Sequence, residues 1–142
     1  MSITSRELRN KEIDTYLRLA GKAALGSYSP YSGFRVGALL LCADGTYYTG
    51  TNVENRSYGL TICAERAALF TAVTGGKRNF RALFIVCPDA EYAVPPCGAC
   101  RQVISEFADK ELPVYYCGKD LKPSRNLMGE LYPFDSLREL KK

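Results

Sequence analysis

Between about Ser5 and Ala24 the apolar residues Leu8, Ile13, Tyr16, Leu17, Ala20 and Ala24 recur at helical spacing among charged neighbours. That pattern predicts an amphipathic helix with Ser5 as N-cap and Gly26 as its stop. Ser27-Tyr28-Ser29-Pro30-Tyr31-Ser32-Gly33 is a loop by composition, with proline and glycine as breakers. A Val/Leu-rich run from Phe34 to Cys42 and a second run from Thr46 to Thr51 flank Ala43-Asp44-Gly45. Asp-Gly between two β-prone runs is a hairpin signal. A second helix is expected from about Ala64 to Val73, turning Ala64, Ala67, Ala68, Leu69 and Ala72 to the sheet and ending at Gly75-Gly76. Ala82 to Cys87 is apolar throughout, as a strand covered on both faces requires. Gly98 to Ala108 carries Val103, Ile104 and Phe107 on one helical face, Pro113 to Cys117 is a short strand, and the tail from Leu127 to Leu140, broken at Tyr132-Pro133, ends in a short helix.

The order α-β-β-α-β-α-β implies an α/β fold, a three-layer α/β/α sandwich around a central mixed sheet. The 142 residues suffice for one domain, 1–142, with a core that needs no disulfide staples. The net charge is +4, but the basic residues are scattered among acidic ones, which argues against a nucleic-acid footprint. No apolar stretch approaches the roughly 20 residues of a membrane span, and the polar N-terminus lacks a secretory apolar region. Six cysteines without an export signal point to a reducing, cytoplasmic compartment. Cys42, Cys87 and Cys117 lie in strand-like apolar surroundings and are expected as core residues.

The remaining thiols carry the chemistry. Thr61-Ile62-Cys63-Ala64-Glu65-Arg66 is followed by Pro96-Cys97-Gly98-Ala99-Cys100, with Cys97 placed 34 positions after Cys63. The chain has no histidine, so Ser-His and Cys-His nucleophiles and imidazole metal sites are excluded. Three thiolates with a carboxylate beside the first make a catalytic zinc site with one open position. Cys97 and Cys100 share a helical face. Cys63 and Glu65 cannot, because two residues turn a helix by about 200°. If both face one ion, Cys63 sits at the cap, Glu65 in the first turn, and a helix begins near Cys63 or Ala64. Zinc with three thiolates carries formal charge −1, which disfavours acidifying water. Two helix N-termini, each worth about half a positive charge, would offset it, as would Arg66 donating to Cys63 and Arg101 beside Cys100. Two other readings of these residues stay open: a noncatalytic structural zinc module, and a redox dithiol at Cys97 and Cys100.

Cys63-Ala64-Glu65 with Pro96-Cys97-Gly98-Ala99-Cys100-Arg101-Gln102 resembles the zinc-dependent cytidine deaminases, a class with a three-cysteine variant. Tyr31-Ser32-Gly33-Phe34-Arg35-Val36-Gly37-Ala38, Asn52-Val53-Glu54-Asn55 and Leu131-Tyr132-Pro133-Phe134 narrow the resemblance to the small homotetrameric enzymes acting on free nucleosides. It runs from about Gly21 to Leu137 and is weakest over Met1 to Ala20 and Cys117 to Asn126; Leu39-Leu40-Leu41-Cys42 is bulkier than the family's usual small residues. The resemblance implies hydrolysis of cytidine or deoxycytidine to uridine or deoxyuridine and ammonia, in pyrimidine salvage. It implies one Zn2+ per subunit on Cys63, Cys97 and Cys100, Glu65 as proton shuttle, and Arg66 supporting the thiolates. It places Phe34, Asn52, Glu54, Ala64 and Phe134 around the substrate: Asn52 and Glu54 at the ribose, chiefly its 3′-hydroxyl, Phe34 against the pyrimidine, and Phe134 inserted from a neighbouring subunit. Within the superfamily, a nucleotide or polynucleotide deaminase is the rival. It would need phosphate-binding groups or a basic aromatic channel, whereas Glu54 would repel phosphate and no Lys/Arg cluster flanks Asn52.

Overall fold

Six consecutive buried residues, Gly37–Cys42, form strand β1, and their two neighbours account for the burial. In the computed structural model, which describes residues 7–142, β1 lies between β2 (Tyr47–Thr51) and β3 (Phe80–Val86). β4 (Pro113–Cys117) and β5 (Ser124–Leu127) extend the sheet in the order β2-β1-β3-β4-β5. Of these five strands, only β3 and β4 pair in parallel, as a crossover through a helix requires. The sheet is therefore mixed, as expected.

Strand alternation sends side chains to two separate layers. Leu39, Leu41, Phe84 and Val86 face helix α1 (Asn10–Ala23), whose Leu17 and Ala20 are buried against them. Ala38, Leu40, Leu83 and Ile85 face α2 (Ala64–Thr74) and α3 (Gly98–Phe107), meeting Ala68, Leu69 and Ile104. Each fully buried Leu, Ile or Phe contributes about 1.5–3 kcal/mol of apolar burial. Cys87 and Cys117 are buried in these layers, and Cys42, at the end of β1, is also buried. Ala67, expected against the sheet, is only half-buried.

The first helix starts later than its apolar pattern predicts, and Ser5 lies outside the described residues. Arg9 is extended and caps α1 without a side-chain bond. Leu8 just before the cap and Ile13 on the first turn both pack on the α1-side cluster, the arrangement of a hydrophobic staple. Leu8 thus contributes to the apolar pattern without being helical.

Two glycines set how closely helices approach. A Cβ on Gly50 of β2 would stand 2.4 Å from the Ala68 nitrogen and 2.6 Å from the Ala64 oxygen. One on Gly37 would stand 1.9 Å from the Ala20 oxygen. Gly50 therefore lets α2, with its cysteine-bearing start, lie directly on β2. Strand β5 was not expected: Ser124-Arg125-Asn126-Leu127 has no apolar pattern, and it joins the sheet edge through backbone pairing with β4. A short helix α4 (Met128–Leu131) and a terminal 3₁₀ turn (Arg138–Leu140) complete the tail.

Candidate active site

The three cysteines singled out above converge. Cys63 is the extended N-cap of α2 and Cys97 that of α3, so both helices begin where the spacing required. Cys100 lies in the first turn of α3 and is buried. The three sulfurs lie within 4.8 Å of one another, and no fourth His, Cys, Asp or Glu joins them among the described residues. Cys63 and Cys97 sulfurs stand 3.7 Å apart. Two sulfurs bound tetrahedrally at about 2.3 Å are separated by about 3.8 Å, so the spacing fits one zinc ion. Neither N-cap uses a side-chain cap bond, which leaves the first-turn N–H groups and their partial positive charge at the cluster.

Arg66 Nη2 donates to Cys63 Sγ at 3.4 Å. The Cys63 thiol is drawn down to about 5, first by its hydrogen bond with Cys100 and then by Arg66, while the same bond pushes Cys100 up. Arg101 does not serve the sulfurs. Its Nε donates to the Pro96 carbonyl at 2.7 Å and its Nη1 to the Leu131 carbonyl at 2.7 Å. The guanidinium satisfies two backbone oxygens and ties the cysteine loop to α4, correcting the charge-compensating role read from its place next to Cys100.

Glu65, only 4% exposed, occupies the first turn of α2 beside the cluster. Burial, and then the charge of Cys63, push its carboxyl up to about 7, against the pull of its own backbone N–H and the Cys100 thiol. Ala64, the first residue of α2, is fully buried.

A second group of residues forms around the end of β2. Asn52, 8% exposed, accepts hydrogen bonds at Oδ1 from the Val36 N–H (2.9 Å) and the Ser27 hydroxyl (2.5 Å), and its Nδ2 donates to the Phe34 carbonyl (2.8 Å). Glu54 accepts from the Tyr31 N–H (2.9 Å), the Ser32 N–H (3.2 Å) and the Ser32 hydroxyl. These bonds, led by that hydroxyl, hold its carboxyl below the usual range. Phe34 is half-buried against the core layer that includes Ala64 and Cys100. Phe134 stands apart, 91% exposed.

Several partners escaped the sequence reading. Ser27 and Ser32 looked like loop residues, and only their proximity to Asn52 and Glu54 reveals them. The Arg35 guanidinium grips Asp89 through Nε (3.0 Å) and Nη2 (2.8 Å), and Asp89 also accepts the Arg35 N–H (2.9 Å). This fastens the Phe34 loop to the segment after β3, and it holds the Asp89 carboxyl down to about 2. No local pattern announces a pair 54 positions apart.

Comparison with known proteins places this geometry. Residues 10–116 match the family described as the cytidine and deoxycytidylate deaminase zinc-binding region. The chain is 51% identical over 104 residues to the cytidine deaminase of Sporosarcina psychrophila, covering 73% of this chain and 76% of that protein. It is 50% identical over 99 residues to the cytidine deaminase of Halalkalibacterium halodurans, covering 70% and 74%. The crystal structure of cytidine deaminase from Burkholderia pseudomallei superposes with a TM-score of 0.82 at 38% identity, over 89% of this chain and 98% of that one. With three sulfurs at two helix starts, a buried glutamate beside them and these relatives, the chain belongs to the cytidine and deoxycytidylate deaminase family.

Proposed function

We propose that the protein is a zinc-dependent cytidine deaminase that hydrolyses free cytidine and deoxycytidine to uridine and deoxyuridine with release of ammonia. The observation that carries this reading is the gathering of Cys63, Cys97 and Cys100 at two helix N-termini, with the buried Glu65 carboxyl beside them. Cys63, Cys97 and Cys100 would hold one zinc ion per subunit, and that ion would supply the Lewis acidity that makes water nucleophilic near neutral pH. Glu65 takes a proton from the attacking water and delivers it to ring N3. The C4–O bond forms, the C4–N bond breaks, and Glu65 passes the second water proton to the leaving amine, which departs as ammonia. The Arg66 guanidinium draws negative charge from Cys63. Phe34 packs on the pyrimidine beside Ala64, and Asn52 and Glu54 hold the ribose. Helix dipoles favour this chemistry by stabilising the thiolates.

We assign residues 1–142 to one domain acting in cytoplasmic pyrimidine salvage. A homotetramer in which Phe134 enters a neighbour's site accounts for an aromatic left so fully in water. Sedimentation showing an active monomer would remove Phe134 from the site.

The test is Glu65→Gln. The variant should retain zinc and lose about 10²–10⁴-fold in kcat, read as the absorbance change on mixing with cytidine. Turnover close to that of the unsubstituted enzyme would remove Glu65 from the mechanism. Stoichiometric zinc with no turnover by the unsubstituted enzyme would instead mean a noncatalytic module. Cytidine should be preferred over its 5′-monophosphate, because the Glu54 carboxylate repels phosphate.

A further inference from the structure

Asn52 and Glu54 have complementary vacancies in their hydrogen bonding. A carboxamide offers two acceptor lone pairs and two N–H donors, and a carboxylate about four acceptor positions. In Asn52 both lone pairs are taken, by the Val36 N–H and the Ser27 hydroxyl, and one N–H is taken by the Phe34 carbonyl. In Glu54 three acceptor positions are taken, by two backbone N–H groups and the Ser32 hydroxyl. One donor remains on the first residue and one acceptor on the second. Together they match a single hydroxyl group, which accepts one hydrogen bond and donates another.

The amide cannot turn round. The Val36 N–H can only donate and the Phe34 carbonyl can only accept, so oxygen and nitrogen are each fixed in place. What the backbone leaves undecided is the second lone pair of Oδ1. With that lone pair open, Asn52 could receive a hydroxyl proton in competition with Glu54, and the sugar could bind in two polarities.

We propose that Ser27 is a positioning residue for the sugar: its hydroxyl closes the second lone pair of Asn52 Oδ1, so that Asn52 acts on the substrate only as a donor. The proposal rests on the reading of Asn52 and Glu54 as the ribose contacts. Ser27 is well placed to hold this bond. It follows the 3₁₀ turn Ala24–Gly26, its N–H is bound to the Ala24 carbonyl at 3.1 Å, and its hydroxyl also lies 3.1 Å from Ser29 Oγ. The adjacent Tyr28 exchanges backbone bonds with Asn52 and Glu54 (3.1 and 2.8 Å), clamping the two short segments together.

The experiment compares the unsubstituted enzyme and Ser27→Ala on cytidine and on 3′-deoxycytidine. On cytidine the substitution should raise KM about fivefold, the weight of one ordinary hydrogen bond, with kcat within about twofold. On 3′-deoxycytidine the two enzymes should have the same KM, because the group that Ser27 helps to orient has no partner. A misfolded fraction lowers apparent kcat for both substrates and leaves KM alone, so a folding defect cannot imitate this result. An unchanged KM, an equal rise with both substrates, or a loss confined to kcat would overturn the role of Ser27. The unsubstituted enzyme separates this from failure of the underlying reading: if it handles the two nucleosides with equal KM, Asn52 and Glu54 do not bind that hydroxyl at all.

Discussion

The sulfur cluster and the Asn52 region are built by opposite means. At the cluster, each ligand comes from a short motif that also makes its own helix start: Cys63 caps α2, and Cys97 and Cys100 open α3. At Asn52 nearly every partner is distant in sequence. Ser27 lies 25 positions away, Phe34 18 and Val36 16, and Glu54 is held by residues 22 and 23 positions back. The first region is encoded by residue identity at fixed spacing, the second by backbone groups brought together through folding. Chemistry should therefore tolerate little change of side chain, while recognition should be sensitive to anything that loosens the 27–36 segment.

The largest effect tests the independence of the two regions. Cys100→Ala removes a ligand, and turnover should fall by several powers of ten with loss of bound zinc. Cys100 is one small buried member of the layer under α2 and α3, and the strand pairing does not use its side chain, so far-UV circular dichroism should be retained; a collapse of the fold would show that the metal organises more than its own site. Next comes Asn52→Ala, which strands the Val36 N–H and the Phe34 carbonyl at a cost of about 1–3 kcal/mol each. It should raise KM for cytidine by at least about tenfold while zinc stays at one per subunit; metal loss here would join the two regions into one. Gly50→Ala should destabilise by about 1–3 kcal/mol, because its Cβ meets the α2 backbone. That loss would appear in thermal unfolding, and an unchanged Tm would mean that α2 does not need so close an approach.

The smallest effect is on acid stability. Asp89 is held down to about 2, chiefly by its hydrogen bond with Arg35, against an ordinary value of 3.8. A carboxyl that is more acidic in the folded state stabilises above its unfolded pKa and loses that contribution as pH falls towards the folded one. The Tm difference between the unsubstituted protein and Asp89→Asn should thus be present above about pH 4 and shrink towards pH 2. A difference constant across that range would assign Asp89 a role other than its charge.

The same contrast explains what could be read from the chain. Helix α2 and strand β3 were legible because their apolar residues fall on one face or run continuously, and the Cys-Ala-Glu step, with both side chains required to face one ion, placed the start of α2 near Cys63 or Ala64. Strand β5 was not, since an edge strand needs only its N–H and C=O groups, which every sequence supplies; Ser124-Arg125-Asn126 carries no sign of them. Arg101 was misread because adjacency in sequence says nothing about where a long side chain ends. Asn52 was recognised as a candidate, yet the serine that completes it was indistinguishable from an ordinary loop residue.

A set of protein ligands made wholly of sulfur would also discriminate among cations. Thiolates are soft donors, so magnesium and calcium, which demand oxygen, gain no foothold against zinc however abundant they are. The converse is a vulnerability: cuprous copper and other thiophilic ions suit the same three sulfurs.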